Sequence, residues 1–198
     1  MENSVEFLQK LAKHHFEKSN LKSIGITGSN GKTILKEWLY QCLWSEFTTV
    51  KSPKSFNSQI GLPLSLLQIN SSHQLGIFEV GISMPNEMQI LESIFHPQIG
   101  LLTHIGTAHA ANFKSEEDLI DEKIKLFKDS EVIIFNGDNR LVDRKIREIY
   151  SSKKLISYGF NENNDVSFKN NISKKKMLSS PILTKKSPSL FISAMKPL

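Results

Sequence analysis

Cysteine occurs once in this chain of 198 residues, at position 42. A disulfide framework is therefore excluded, which suits a reducing cytoplasm. Helical spacing puts Cys42 on an apolar face, where core packing is its expected role. No apolar run approaches the ~20 residues that span a bilayer, so membrane insertion is not expected. The N-terminal MENSVEFLQKLAKHHFEK lacks the apolar centre of a signal peptide and instead mixes charges along an amphipathic helix. Acidic residues are absent after Asp165, where seven lysines stand. That absence locates the formal charge of +5 in the tail: with seven of the 25 basic residues there, residues 1–165 hold 18 basic against all 20 acidic residues. The body has no basic excess, so there is no electrostatic footprint for DNA or RNA. The length suits one large domain or one and a half. We expect one domain over 1–165 and a basic tail over 166–198.

What the chain does have is GITGSNGKT, residues 25–33. The strict phosphate-loop pattern is G-x-x-x-x-G-K-[ST], and Ile26 stands where its first glycine should be. The context nevertheless fits a nucleotide site. LKSIGIT before it is a short apolar strand, and TILKEWLYQCLW after it has apolar residues at helical spacing. A glycine turn into a helix directs free N–H groups and the helix's positive end at one small volume, which favours an anion. Lys32 adds a charge for phosphate oxygens, and Thr33 a hydroxyl for Mg²⁺. A tight turn with a solvated lysine explains less of this spacing.

Strand and helix patterns then alternate. TTVKSPKSFNSQIGLP reads as a long polar connection, LPLSLLQI as a short helix, QLGIFEVG as a buried strand, and PNEMQILESIF as a helix with Pro85 in its first turn. QIGLLTHIG is a strand, SEEDLIDEKIKLFK a helix opened by Ser115, EVIIFNG a strand, DNRLVDRKIREIY a helix and KLISYGF a strand. The pattern predicts an α/β fold with a largely parallel sheet and helices on both faces. Ligands of such sheets lie at the carboxyl ends of strands, which gathers Gly28–Thr33, Glu79–Ser83, Thr103–His109 and Asn136–Asp138. Glu79 closes an otherwise apolar strand, where a carboxylate is costly to bury unless paired or bound to a metal. His109, after the next strand, suits a structural or a metal-binding role.

GITGSNGKT, SFNSQIGLPLSLL, IFEVGISMPNEMQIL, LLTHIGTAH and DEKIKLF occur in the order and spacing of the central domain of the Mur ligases. The chain resembles that P-loop-containing domain over about residues 3–160, and its wording is most similar to the branch that some bacteria fuse to an alanine racemase. That family's G-x-x-G-K-[ST] accounts for Ile26. The resemblance implies a peptidoglycan-precursor amide ligase with ATP and Mg²⁺ as cofactors. It would join D-alanyl-D-alanine to UDP-N-acetylmuramoyl-tripeptide through an acyl phosphate. It further implies that Gly28, Ser29, Asn30, Gly31 and Lys32 hold the nucleotide phosphates, with Asn57 beside them. Thr33 and Glu79 would hold one Mg²⁺, and His109 would help hold a second. Lys123, first residue of KIKLF, would be carbamylated by CO₂ and become an anionic metal ligand. Lys32, His109 and Lys123 are thus the catalytic candidates.

The departures set further expectations. The domains that the family places before and after this one are not recognisable, so the isolated chain is expected to be inactive. The family's H-N-x-x-N-A helix is missing after ISYGF, and residues beyond about Lys176 are expected to lie outside the ligase fold, loosely packed. Two other readings stay open: a nucleotide-binding fragment without catalysis, and a ligase like folylpolyglutamate synthase.

Overall fold

The computed structural model describes residues 3–106 and 112–168. They fall into two compact units, Met1–Ile133 and Ile134–Leu198. The first carries helix α1 (Ser4–Glu17), strand β1 (Lys22–Thr27), α2 (Lys32–Leu43), β2 (Thr49–Lys51), α3 (Gly61–Leu66), β3 (Leu75–Glu79), α4 (Glu87–Ile94), β4 (Ile99–Leu102) and α5 (Glu116–Ile124). A 3-10 turn, Lys125–Phe127, continues α5. Strand β5 (Val132–Asn136) begins at the end of this unit, where the Glu131 and Val132 N–H groups donate to the Gln98 carbonyl at 2.8 and 3.3 Å. The second unit holds the rest of β5, then α6 (Arg140–Ile149), β6 (Lys154–Gly159) and β7 (Val166–Ser167).

The fold is the expected α/β class. In the first unit the strand order is β2-β3-β1-β4, with β1 parallel to β3 and β4, and β2 parallel to β3. Consecutive buried residues along β1 (Ser23 to Thr27) and all of β3 show that both faces of these strands are covered. Parallel strands need crossover helices, and α2 and α3 pack against β3. Register sets Ile26 beside Glu79 and Thr27 beside Leu102, so β1, β3 and β4 end together. The chain leaves β1 between two neighbours that run to opposite sides, which is where parallel sheets take their ligands.

The core is aromatic where α1 meets the sheet. Phe95 meets Phe16 and Phe78 edge-on, with ring centroids 5.1 and 5.3 Å away. Such pairs add to simple burial because ring edges and faces carry opposite partial charge. Side-chain caps fix three helix starts: Asn3 accepts from Val5 N, Ser115 from Asp118 N, and Asn139 from Leu141 and Val142 N. In the second unit, β6 and β7 are parallel, and the Asp138 carboxylate accepts from the N–H groups of Phe160 and Asn161. Those bonds, Phe160's foremost, hold its carboxyl below the usual range.

Several sequence expectations are corrected. Strand β2 lies inside the stretch taken as a polar connection; three residues at a sheet edge give little apolar pattern. Pro85 precedes α4 rather than occupying its first turn, and Asn86 at φ 68° makes the entry. Strand β7 opens what reads as tail. Cys42 is exposed, as are Ile34 and Trp38, because α2 turns Lys36 and Leu43 inward instead. Residues 169–198, and with them the expectation about loose packing, lie outside the described residues. Among the described residues, no helix is long and apolar enough to cross a membrane. Truncating the fully buried Phe78 to alanine should cost about 3–5 kcal/mol, read as a lower urea midpoint. A loss under about 1 kcal/mol would contradict this account of the core.

Candidate functional site

The loop after β1 is shaped by two glycines. Gly28 has φ +141°, and a Cβ there would collide with Thr103 Oγ1. Gly31 has φ +84° and is the N-cap of α2. The loop is laced to the segment after β4. Ser29 N donates to the His104 carbonyl at 2.9 Å, and Asn30 N to the same carbonyl at 3.4 Å. Thr103 Oγ1 donates to Asn30 O at 2.8 Å, and Ser29 Oγ to Gly106 O at 3.2 Å. The first intrahelical bond is Leu35 N to Gly31 O, 2.9 Å. The N–H groups of Lys32, Thr33 and Ile34 therefore precede the helical ladder and carry its positive end. They open on a groove lined by Ser29, Asn30, Gly31, Lys32, Thr33, Ile34 and Asn57.

Two lysines converge on the loop's inner side. Lys32 Nζ curls back to Gly28 O at 2.9 Å and Ser29 O at 3.3 Å, and Lys123 Nζ reaches Gly28 O at 3.3 Å. Lys123 is 1% exposed. Burial, then repulsion from Lys32, pushes its ammonium down to about 8. Burial lowers Lys32 too, against an upward pull from Glu79. Two ammonium groups on one carbonyl, with little water, form a site that gains from any anion entering it.

The third component is Glu79, with no solvent exposure. Its Oε2 accepts from Thr33 Oγ1 at 3.1 Å and from Asn57 Nδ2 at 3.4 Å. Asn57 is held in turn by its own carbonyl, which accepts from Gly81 N at 2.7 Å. The chemistry and spacing of these donors fit Mg²⁺. It takes hard oxygen ligands at ~2.1 Å in an octahedron, so neighbouring ligands stand ~3.0 Å apart, close to the Thr33–Glu79 separation. The structure thus brings Thr33, Glu79, Asn57, Lys32 and Lys123 together around the loop Gly28–Gly31. His109 lies outside the described residues.

Sequence reasoning missed the residues behind Glu79. Lys36 Nζ stands 3.0 Å from Glu79 Oε1, and Ser52 Oγ accepts from Glu79 N at 3.0 Å. The only signal for Lys36 is its position four residues after Lys32, and that spacing does not reveal burial.

The Mur ligase middle domain matches residues 26–193. The chain is similar to UDP-N-acetylmuramoyl-tripeptide–D-alanyl-D-alanine ligases. It is 42% identical to that of Borreliella burgdorferi over 135 residues, 68% of this chain and 29% of the relative. It is 30% identical to that of Bacillus subtilis over 141 residues, 70% and 31%. Among solved structures it resembles MurF from Acinetobacter baumannii, with TM-score 0.79, 26% identity, and coverage of 86% of this chain and 38% of that one. It also resembles the MurF ligase from Thermotoga maritima in complex with ADP, with TM-score 0.76, 28% identity, and coverage of 86% and 40%. The chain spans less than a third of the length of these two curated relatives.

Lys123 makes stability depend on pH. Its folded pKa lies below the unfolded one, so the cost of burying the charge is fully present below about 8 and relieved as pH rises toward 10.5. In CO₂-free buffer, urea unfolding should show the parent gaining on Lys123→Met across that window. A pH-independent difference between the two would contradict it.

Proposed function

Because the chain belongs to the Mur ligase middle-domain family, we propose that it is the ATP-binding catalytic domain of a cytoplasmic peptidoglycan-precursor ligase. The reaction joins D-alanyl-D-alanine to UDP-N-acetylmuramoyl-tripeptide. The substrate carboxylate attacks the γ-phosphorus of ATP and ADP leaves; the amine of the dipeptide then attacks the acyl phosphate and phosphate leaves. The observation that carries this reading is the set Lys32, Thr33 and Glu79 at the carboxyl ends of β1 and β3, with Thr33 Oγ1 and Glu79 Oε2 3.1 Å apart.

Each residue has a task its surroundings support. The helix-start N–H groups and Lys32 bind the phosphates, and Lys32 swings from its two loop carbonyls to do so. Ser29 and Thr103 hold the loop against β4, so the phosphates meet a preformed cradle. Thr33 and Glu79 would hold Mg²⁺, which offsets charge on the phosphoryl group in transfer. Asn57 orients Glu79 and faces the same groove. Lys123 would be carbamylated: burial and Lys32 favour its neutral amine, whose lone pair attacks the carbon of CO₂. The ammonium first gives up one proton; the N–C bond then forms as a C=O π pair moves onto oxygen, and a second proton goes to solvent, leaving an anion where an ammonium stood. That anion would pair with Lys32 or ligate a second Mg²⁺, which His109 would share.

Titration of ATP with Mg²⁺ should show Lys32→Ala binding at least tenfold more weakly, about 1.4 kcal/mol. Equal affinities would overturn the phosphate-loop assignment. With ¹³C-bicarbonate and Mg²⁺·ADP, NMR should show one carbamate signal that Lys123→Ala lacks. A signal that survives the substitution would remove Lys123 from this role.

A further inference from the structure

Lys36 is the largest fully buried charged side chain, among the described residues, that the proposed reaction leaves without a task. It is 0% exposed, on the inward face of α2, one turn beyond Lys32. Burying an ammonium costs several kcal/mol unless every proton finds an acceptor. Here Nζ donates to Ser52 O at 2.8 Å and to Lys54 O, and it stands 3.0 Å from Glu79 Oε1 and 3.3 Å from Glu37 Oε1. Glu37 also pairs with Lys51. The ammonium therefore joins α2, the loop after β2 and the end of β3.

Such a knot explains packing, and packing alone would be a sufficient role. The way it divides Glu79 points further. The two carboxylate oxygens face different groups: Oε1 receives no hydrogen bond and lies in an ion pair 3.0 Å from the Lys36 ammonium, while Oε2 accepts from Thr33 and Asn57. The carboxylate has little freedom to turn. It is fully buried, the Lys36 side chain beside it is enclosed, and turning it would exchange the partners of both oxygens. A divalent cation beside Thr33 can then take one oxygen from Glu79, not two.

Cations differ in what they make of that limit. Mg²⁺ requires near-ideal octahedral geometry and is satisfied by single oxygens at ~2.1 Å. Ca²⁺ takes six to eight oxygens at ~2.4 Å and gains from carboxylates that offer both. We propose that Lys36 is a specificity-determining residue: by occupying Glu79 Oε1 it restricts Glu79 to one-oxygen coordination and biases the site toward Mg²⁺ over Ca²⁺. The inference rests on the reading of Thr33 and Glu79 as the Mg²⁺ site.

The test compares binding of a fluorescent ATP analogue in Mg²⁺ and in Ca²⁺ for the parent, Lys36→Met and Glu79→Gln. The parent should bind the analogue more tightly with Mg²⁺, and Lys36→Met should shrink that preference at least fivefold by binding relatively better with Ca²⁺. A role in packing alone would lower stability and weaken both complexes alike, leaving the ratio unchanged; that result overturns the proposal. If Lys36→Met does not fold, the parent decides by itself. Infrared difference spectra, with the Glu79 carboxylate band identified by its loss in Glu79→Gln, should show one-oxygen coordination under either cation. A two-oxygen signature with Ca²⁺ in the parent overturns the proposal. If neither cation affects binding by the parent and Glu79→Gln changes nothing, the Mg²⁺ assignment falls and takes this inference with it. If the parent depends on Mg²⁺ through Glu79 but Lys36→Met keeps the parent's ratio, only the inference falls.

Discussion

A carboxylate with no exposure to water, at the last position of a buried strand, is the constraint on which this site is built. Glu79 cannot be left there alone: an isolated buried charge would cost more than a domain of this size can spare. The surrounding chain answers from two sides: Lys36 pairs with one carboxylate oxygen, Thr33 and Asn57 donate to the other from the groove side, and Ser52, in the loop after β2, holds the Glu79 backbone N–H and accepts from Lys36. Each answer also places a functional part. The helix that brings Lys36 inward begins with the glycine turn proposed to bind phosphate, and the loop that carries Ser52 runs on to Asn57.

The same economy governs the other side of the turn. Gly28 is pressed so close to Thr103 that no side chain fits, and its carbonyl is left facing Lys32 and Lys123. An all-cationic inner wall with a free helix start is unfavourable until an anion arrives. Stability and chemistry are thus opposed here: the burial that makes a charged Lys123 expensive also favours the neutral amine that carbamylation would use.

How much of this could be read from the residues divides along physical lines. The turn, Lys32, Thr33 and Glu79 were legible because their chemistry is tied to local order: strand, glycine turn, helix, and a charged residue ending an apolar strand. The crossover pattern likewise exposed the parallel sheet. Lys36 was not legible, since a lysine at that helical position is ordinarily solvated, and only the tertiary placement of Ser52 and Lys54 makes its burial tolerable. The face of α2 was misjudged for the converse reason. Ile34, Trp38 and Cys42 follow helical spacing, yet the ion pair dictates which side turns inward. Strand β2 escaped because three edge residues carry no period to detect.

The central claim is that Glu79 and Thr33 present a divalent cation to a nucleotide held by the loop. Electron paramagnetic resonance of Mn²⁺ in place of Mg²⁺ tests it most directly. With ATP present, the parent should give a bound Mn²⁺ signal coupled to phosphorus, and Glu79→Gln should lose that signal while still binding nucleotide. An identical phosphorus-coupled spectrum from both proteins would contradict the account, because the cation would then be held by the nucleotide alone.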